Sequence, residues 1–278
     1  MRGILKYLLG CFYIASMLLS CTDGNISDAE FSNHSFVVSF SEGSIADSLG
    51  LGFDGDLIVN SSAAPLPITG GQARGNVRDA DEYYAAYPSD AFLYFSPEDE
   101  SSVSMHLPTL QTAVCGGIPK GTNIAVASSS SEDMRFELEN MLTYIRFSIT
   151  EEVGRIRSVS LISSDGTRIS GDFSVSCIDS DREVFPLPAS ASNVCLKPSG
   201  EFFEPGEYYL AAFPWAFYGE LVLLFENESG ELARKIIPST SEYLGGLIRD
   251  AGSVRSLHFC FEDFYPSSST LVLMNHVA

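Results

Sequence analysis

Apolar and polar residues alternate in short runs along most of this 278-residue chain, at a period of two rather than the 3.6 of a helix. Ser35–Phe40 is the first such run, and Leu57–Val59 suggests another. The pattern resumes at Tyr83–Pro88, Phe92–Phe95, His106–Gln111, Asn123–Ala127 and Tyr144–Ile149. A second series follows at Ile156–Ile162, Arg168–Val175, Ser192–Leu196, Glu207–Pro214, Leu221–Glu226, Leu232–Ile237 and Val254–Phe259. Asp165-Gly166 between alternating runs predicts a hairpin, because both residues tolerate positive φ. Asn227–Gly230 predicts a second turn, joining the runs on either side of it. Two stretches break the pattern. Met134–Leu142 reads as a short helix or an irregular strand lead-in, its acidic start suiting a helix N-terminus. Asn60–Glu82, rich in Gly, Ser, Ala and Pro, shows neither period and is expected to be a long loop.

Short strands with turns at this spacing predict a mostly-β protein built from sandwiches. A Tyr-Tyr pair opening a strand that ends at proline occurs twice, at Tyr83–Pro88 and Tyr208–Pro214, which suggests two related sandwich domains. The expected division is 34–150 for the first sandwich and 151–263 for the second, with 264–278 as a C-terminal tail. That tail alternates again, with Thr270, Val272 and Met274 facing one way and Leu271 and Leu273 the other.

The N-terminus carries a different signal. Arg2 and Lys6 precede the apolar run Leu8–Leu19, which stops at Ser20 and Cys21. A membrane-spanning helix needs about 20 apolar residues, so residues 1–20 read as a secretory signal peptide. The Leu18-Leu19-Ser20-Cys21 ending resembles a bacterial lipobox, in which the signal is cut between Ser20 and Cys21 and a diacylglycerol joins the thiol of Cys21. Ordinary signal cleavage is the plainer alternative. Residues 21–33 then form the lipidated cysteine and a polar tether.

Removing residues 1–20 takes away two bases and no acid, so the formal charge moves from −20 to −22. Such a surface repels phosphate backbones and argues against nucleic acid as a partner. Export permits disulfides, yet Cys115, Cys177, Cys195 and Cys260 allow three pairings, and buried thiols fit the spacing equally well. The histidines His34, His106, His258 and His276 lack partners at metal-ligand spacing. The Gly70–Gly75 stretch lacks the Lys-Ser/Thr of a phosphate loop, and no GxSxG elbow occurs. No catalysis, metal or cofactor is expected.

Taken in order, several segments resemble the fimbrillin-like pilins of anaerobic Gram-negative bacteria. They are the lipobox, Tyr84–Pro88, Leu107–Gln111, Ile124–Ala127, Leu142–Phe147, Ile156–Leu161 and Ile169-Ser170-Gly171. The resemblance spans most of residues 36–260. It implies two transthyretin-like β-sandwich domains in tandem, export to the outer membrane surface as a lipoprotein, and assembly into fimbriae that support adhesion. In such pilins an arginine-directed protease removes the N-terminal segment with its first strand, and a neighbour's strand fills the vacated groove. On this sequence the removed strand would hold Phe36, Val38 and Phe40, and the candidate cleavage residues are Arg74 and Arg78. The candidate donor strand is Leu271, Val272, Leu273 and Met274. The partners implied are other copies or related pilin subunits, the outer membrane through Cys21, and host or bacterial surface ligands. A second reading is a monomeric surface lipoprotein that binds glycan or protein through Tyr83, Tyr87, Trp215 and Tyr218.

Overall fold

The computed structural model describes residues 31–151, 155–178, 183–214, 220–237 and 254–256. Cys21, the tail 264–278, Cys260, Trp215 and Tyr218 lie outside the described residues. The fold is mostly β.

In chain order the first half gives β1 (Phe31–Phe40), the one-turn helix α1 (Ile45–Ser48), β2 (Ile58–Val59), β3 (Ile68–Thr69), β4 (Gln72–Arg78) and β5 (Glu82–Tyr87). It continues with β6 (Phe92–Phe95), β7 (Ser102–Leu107), β8 (Leu110–Thr112), β9 (Ala125–Ser130), β10 (Arg135–Asn140) and β11 (Thr143–Ile149). The second half gives β12 (Ile156–Ser163), β13 (Gly171–Ser176), β14 (Phe185–Pro186), β15 (Asn193–Lys197), β16 (Gly206–Ala212), β17 (Leu221–Asn227), β18 (Leu232–Ile237) and β19 (Val254–Ser256).

Seven strands form one sheet in the order β2-β5-β9-β10-β1-β4-β3. It curls until its ends meet: the amides of Leu57 and Leu66 each donate to the other's carbonyl, at 2.9 and 2.6 Å. Closure leaves few unpaired edge groups. The enclosed core is drawn from the inward positions of these strands and the Leu57–Leu66 connection, with Phe36, Tyr83, Tyr87 and Phe136 among its largest members.

The second core lies between two sheets of a sandwich. β16-β11-β19 contributes Ile145, Phe147, Tyr208 and Leu210 from one face. β18-β17-β12-β15-β8 contributes Val159, Leu161, Leu196, Leu223 and Phe225 against them. The opposite face of β11 and β16 is also buried. There Tyr144, Tyr209 and Ala211 join a third core with Val103 and Met105 of β7, Phe173 and Val175 of β13, and Val126 of β9. Strands buried on both faces lose the clean alternation of a half-exposed sheet, as in the run Tyr208–Phe213. Residue 150 does not separate the sheets: β7 pairs with β13, and β8 pairs in parallel with β15.

Two local expectations are corrected, and one pair of alternatives is decided. Asn60–Glu82 is not a structureless loop but holds β3 and β4, which pair with each other, and β4 pairs also with β1. Its single alternation, Ala73 and Val77 inward against exposed Arg74 and Arg78, is diluted by small residues. Met134–Leu142 contains a strand rather than a helix. Phe136 and Leu138 are buried while Arg135, Glu137 and Glu139 are exposed, so pairing with β1 and β9 overrides helix-favouring composition. Asp165-Gly166 does make a turn, with Gly166 at φ +77 and the Thr167 amide donating to the Asp165 carboxylate. It joins no hairpin. β12 pairs with β15 and β17, whereas β13 pairs with β7 and β14. The Asn227–Gly230 turn does join a hairpin, β17 to β18.

Among the described residues Cys115, Cys177 and Cys195 form no disulfide.

Candidate functional site

The strand that the sequence singles out, β1, occupies the middle of the closed sheet. It runs parallel to β10 on one side, with Val38 opposite Phe136 and Phe40 opposite Leu138. On the other side it runs antiparallel to β4, with Ser35 opposite Arg74 and Phe31 opposite Arg78. The amide of Val37 donates to Met134 O at 3.0 Å, and that of Val38 to Gly71 O at 2.8 Å. Gly71 sits at φ +73, a left-handed backbone conformation that favours glycine.

Even-numbered residues of β1 face the core. Phe36 is fully buried and Val38 nearly so, while Phe40 is half-buried at the rim. The Phe36 ring lies 4.9 Å from Phe136 and meets Tyr83 edge-on at 5.2 Å. Phe40 stacks on Phe53 at 4.7 Å and meets Tyr87 edge-on. Burying aromatic side chains of this size contributes a few kcal/mol each, so β1 is a major part of its core rather than a surface addition.

At the strand's beginning a polar clasp takes over. His34 stacks over Phe36, and its Nε2 lies 2.8 Å from Asp79 Oδ1 and 2.6 Å from Ser32 Oγ. Ser32 Oγ donates to the same carboxylate oxygen at 2.9 Å. These hydrogen bonds hold the Asp79 carboxyl below its ordinary range. The clasp borders a shallow pocket of about 400 Å³ shared with Asp81 and Tyr83. It ties β1 to the segment just after β4. Asp79 lies 45 residues from His34 and is brought to it only by the pairing of β4 with β1.

Arg74 and Arg78 are exposed, but on a strand. The amide of Arg78 donates to Ser61 O, and Arg74 is laddered against β1. No Lys or Arg occurs between Cys21 and Ala73, so Arg74 is the first basic residue after Lys6. A chain break there separates a segment carrying β1, α1, β2 and β3 from the rest.

Tyr83 and Tyr87 are not available as a binding platform. Both are buried at 1% and 0% exposure; Tyr87 Oη donates to the Asp54 carboxylate and accepts from the Asp54 amide, and burial raises its phenol pKa.

β16, at the edge of its sheet, is capped by other groups. Gln111 is buried, its Nε2 donating to Ala211 O at 2.8 Å and its Oε1 accepting from Ala211 N at 3.0 Å. Gly116 N donates to Glu207 O, and Phe213 N to Ile169 O, along the same strand. A side-chain amide thus stands where a neighbouring strand would pair, a role that nothing in the spacing around Gln111 discloses.

No family model matches the chain, and no curated protein matches it. Among solved structures it is similar to a candidate cell adhesion protein from Bacteroides ovatus, at 9% identity and a TM-score of 0.49, over 85% of this chain and 98% of the other. A candidate cell adhesion protein from Bacteroides uniformis is similar at 10% identity and 0.47, over 84% and 96%. The tip fimbrial protein Mfa3 from Porphyromonas gingivalis, with a C-terminal truncation, is similar at 10% identity and 0.38, over 84% and 97%. At these scores the similarity carries no functional inference.

Proposed function

We propose that this chain is a structural subunit (shaft, tip or anchor) of a cell-surface fimbria, exported as a lipoprotein on Cys21 and joined to its neighbours by strand exchange after its N-terminal segment is removed. The observation that carries this reading is the placement of β1. It is the first described strand, it fills the interior of a closed sheet, and its flanking strands come from elsewhere in the chain.

Removing such a strand leaves β10 with unpaired backbone groups and exposes Phe136 and Leu138, an arrangement that is unfavourable in water. An extended segment with alternating apolar side chains restores both the ladder and the core. Leu271, Val272, Leu273 and Met274 have that alternation. Arginine-directed cleavage at Arg74 or Arg78 removes more than β1. It takes Leu57, Val59 and Leu66 from the same core, so the acceptor is the whole open side of β10 rather than a one-strand slot.

The test is digestion of the chain with an arginine-specific protease, followed by electrophoresis in detergent without heating. Cleavage after Arg74 or Arg78, then a ladder of resistant polymers that disappears on deleting residues 264–278, supports the proposal. Resistance at both arginines, or a cut product that stays single, contradicts it.

A further inference from the structure

The outer face of β4, β1 and β10 is open where β5 and β9 of the same sheet are covered. Ala86 on β5 and Val126 on β9 turn away from the closed core into the third core, so those strands are buried on both sides. Farther along the sheet the odd-numbered residues of β1 are exposed, among them Phe31 and Val37 at 49% and 45%.

The charges flanking them are ordered. Along β1, Arg78 stands opposite Phe31, Arg74 opposite Ser35, Arg135 opposite Val37 and Glu137 opposite Ser39. Glu139 follows Glu137 on the same face of β10. On β10 the order is Arg135, Glu137, Glu139, base to acid along the strand, while Arg74 and Arg78 flank the other side of β1 from β4. Among the described residues the arginines in ion pairs are Arg146, Arg155 and Arg157, so Arg74, Arg78 and Arg135 have no carboxylate of their own chain within that distance.

We propose that this face docks against the same face of a second copy, related by a two-fold axis near Val37 and Ser39, with Arg135 of each copy opposite Glu137 of the other. A polyanion meets Glu137, Glu139 and a chain of net charge −20. A basic partner meets the arginines. A surface with the charge order reversed matches, and two-fold rotation generates that surface from this one. Two copies repel at long range, but at physiological salt the Debye length is about 8 Å, which mutes distant charges more than pairs in contact. Exposed Val37 supplies apolar area at the centre. The surface requires β1 in place, so it belongs to the uncut chain and stands whether or not strand exchange occurs.

Sedimentation of the uncut chain beginning at Thr22, over a concentration series at physiological salt, tests this. A reversible dimer is expected. Arg135→Glu or Glu137→Arg alone weakens it by about tenfold, since each change sets like charges together twice across the axis. The combined variant regains wild-type association, and a mixture of the two single variants forms a heterodimer. Val37→Glu, at an exposed position, abolishes dimerisation without changing thermal unfolding. A monomer at every concentration, a dimer indifferent to the reversals, or a swap that fails to restore association overturns the proposal. Retention on a heparin column in place of self-association does so too.

Discussion

Phe36 of β1 and Phe136 of β10 pack with their ring centroids 4.9 Å apart, tilted by 31°, and both side chains fully buried, one from each strand of the parallel pair. This contact couples the first described strand to the centre of its sheet. Truncating either ring to alanine costs about 3–5 kcal/mol of stability. The double variant costs less than the sum, by about 0.5–1.5 kcal/mol, because the shared aromatic contact is lost only once. Urea denaturation of the uncut chain and its three variants measures the coupling.

Gln111 offers a sharper test of how the fold guards its edges. Gln111→Leu keeps the volume and removes both partners of Ala211, leaving a buried N–H and C=O unsatisfied at about 1–3 kcal/mol each. Hydrogen exchange at Ala211 accelerates relative to the rest of β16. Unchanged exchange there would mean that another group already serves that edge.

The clasp on β1 predicts an acid response. Ser32 and then His34 hold the Asp79 carboxyl below its ordinary value of 3.8. A depressed carboxyl contributes stability at pH above that value and loses it as pH falls through its folded value. Asp79→Asn is therefore less stable than wild type at pH 7, and the difference closes below about pH 4. Urea midpoints across pH 2–7 for the two proteins check it; a constant offset across that range would remove the clasp from the account.

Much of this architecture was legible from alternation alone. β1 alternates in burial at its core end, β5 ends at proline, and β17 and β18 flank the Asn227–Gly230 turn, so these carry their own signal. β4 was hidden because Gly75 and small neighbours leave just Ala73 and Val77 to mark its inward face. β10 was ambiguous because Glu137 and Glu139 favour helices in isolation, while the pairing that makes them a strand is with residues about a hundred positions earlier in the case of β1. The Asp165-Gly166 turn was read correctly as local geometry and wrongly as a hairpin, since a turn does not say which sheets its arms join. The clasp of His34 with Asp79 and the amide cap of Gln111 depend on contacts 45 and 100 residues apart, which no local pattern encodes.

The claim that β1 holds a place another copy can fill is tested most directly by hydrogen exchange on β10. The chain is cut with an arginine-specific protease, its N-terminal segment is washed away under mild denaturant, and a peptide spanning residues 267–275 is added. Amides of Arg135–Asn140 are predicted to lose protection on removal of the segment and to regain it with the peptide. Protection that stays lost in the presence of the peptide, or that never changes on cutting, would contradict strand exchange at this site.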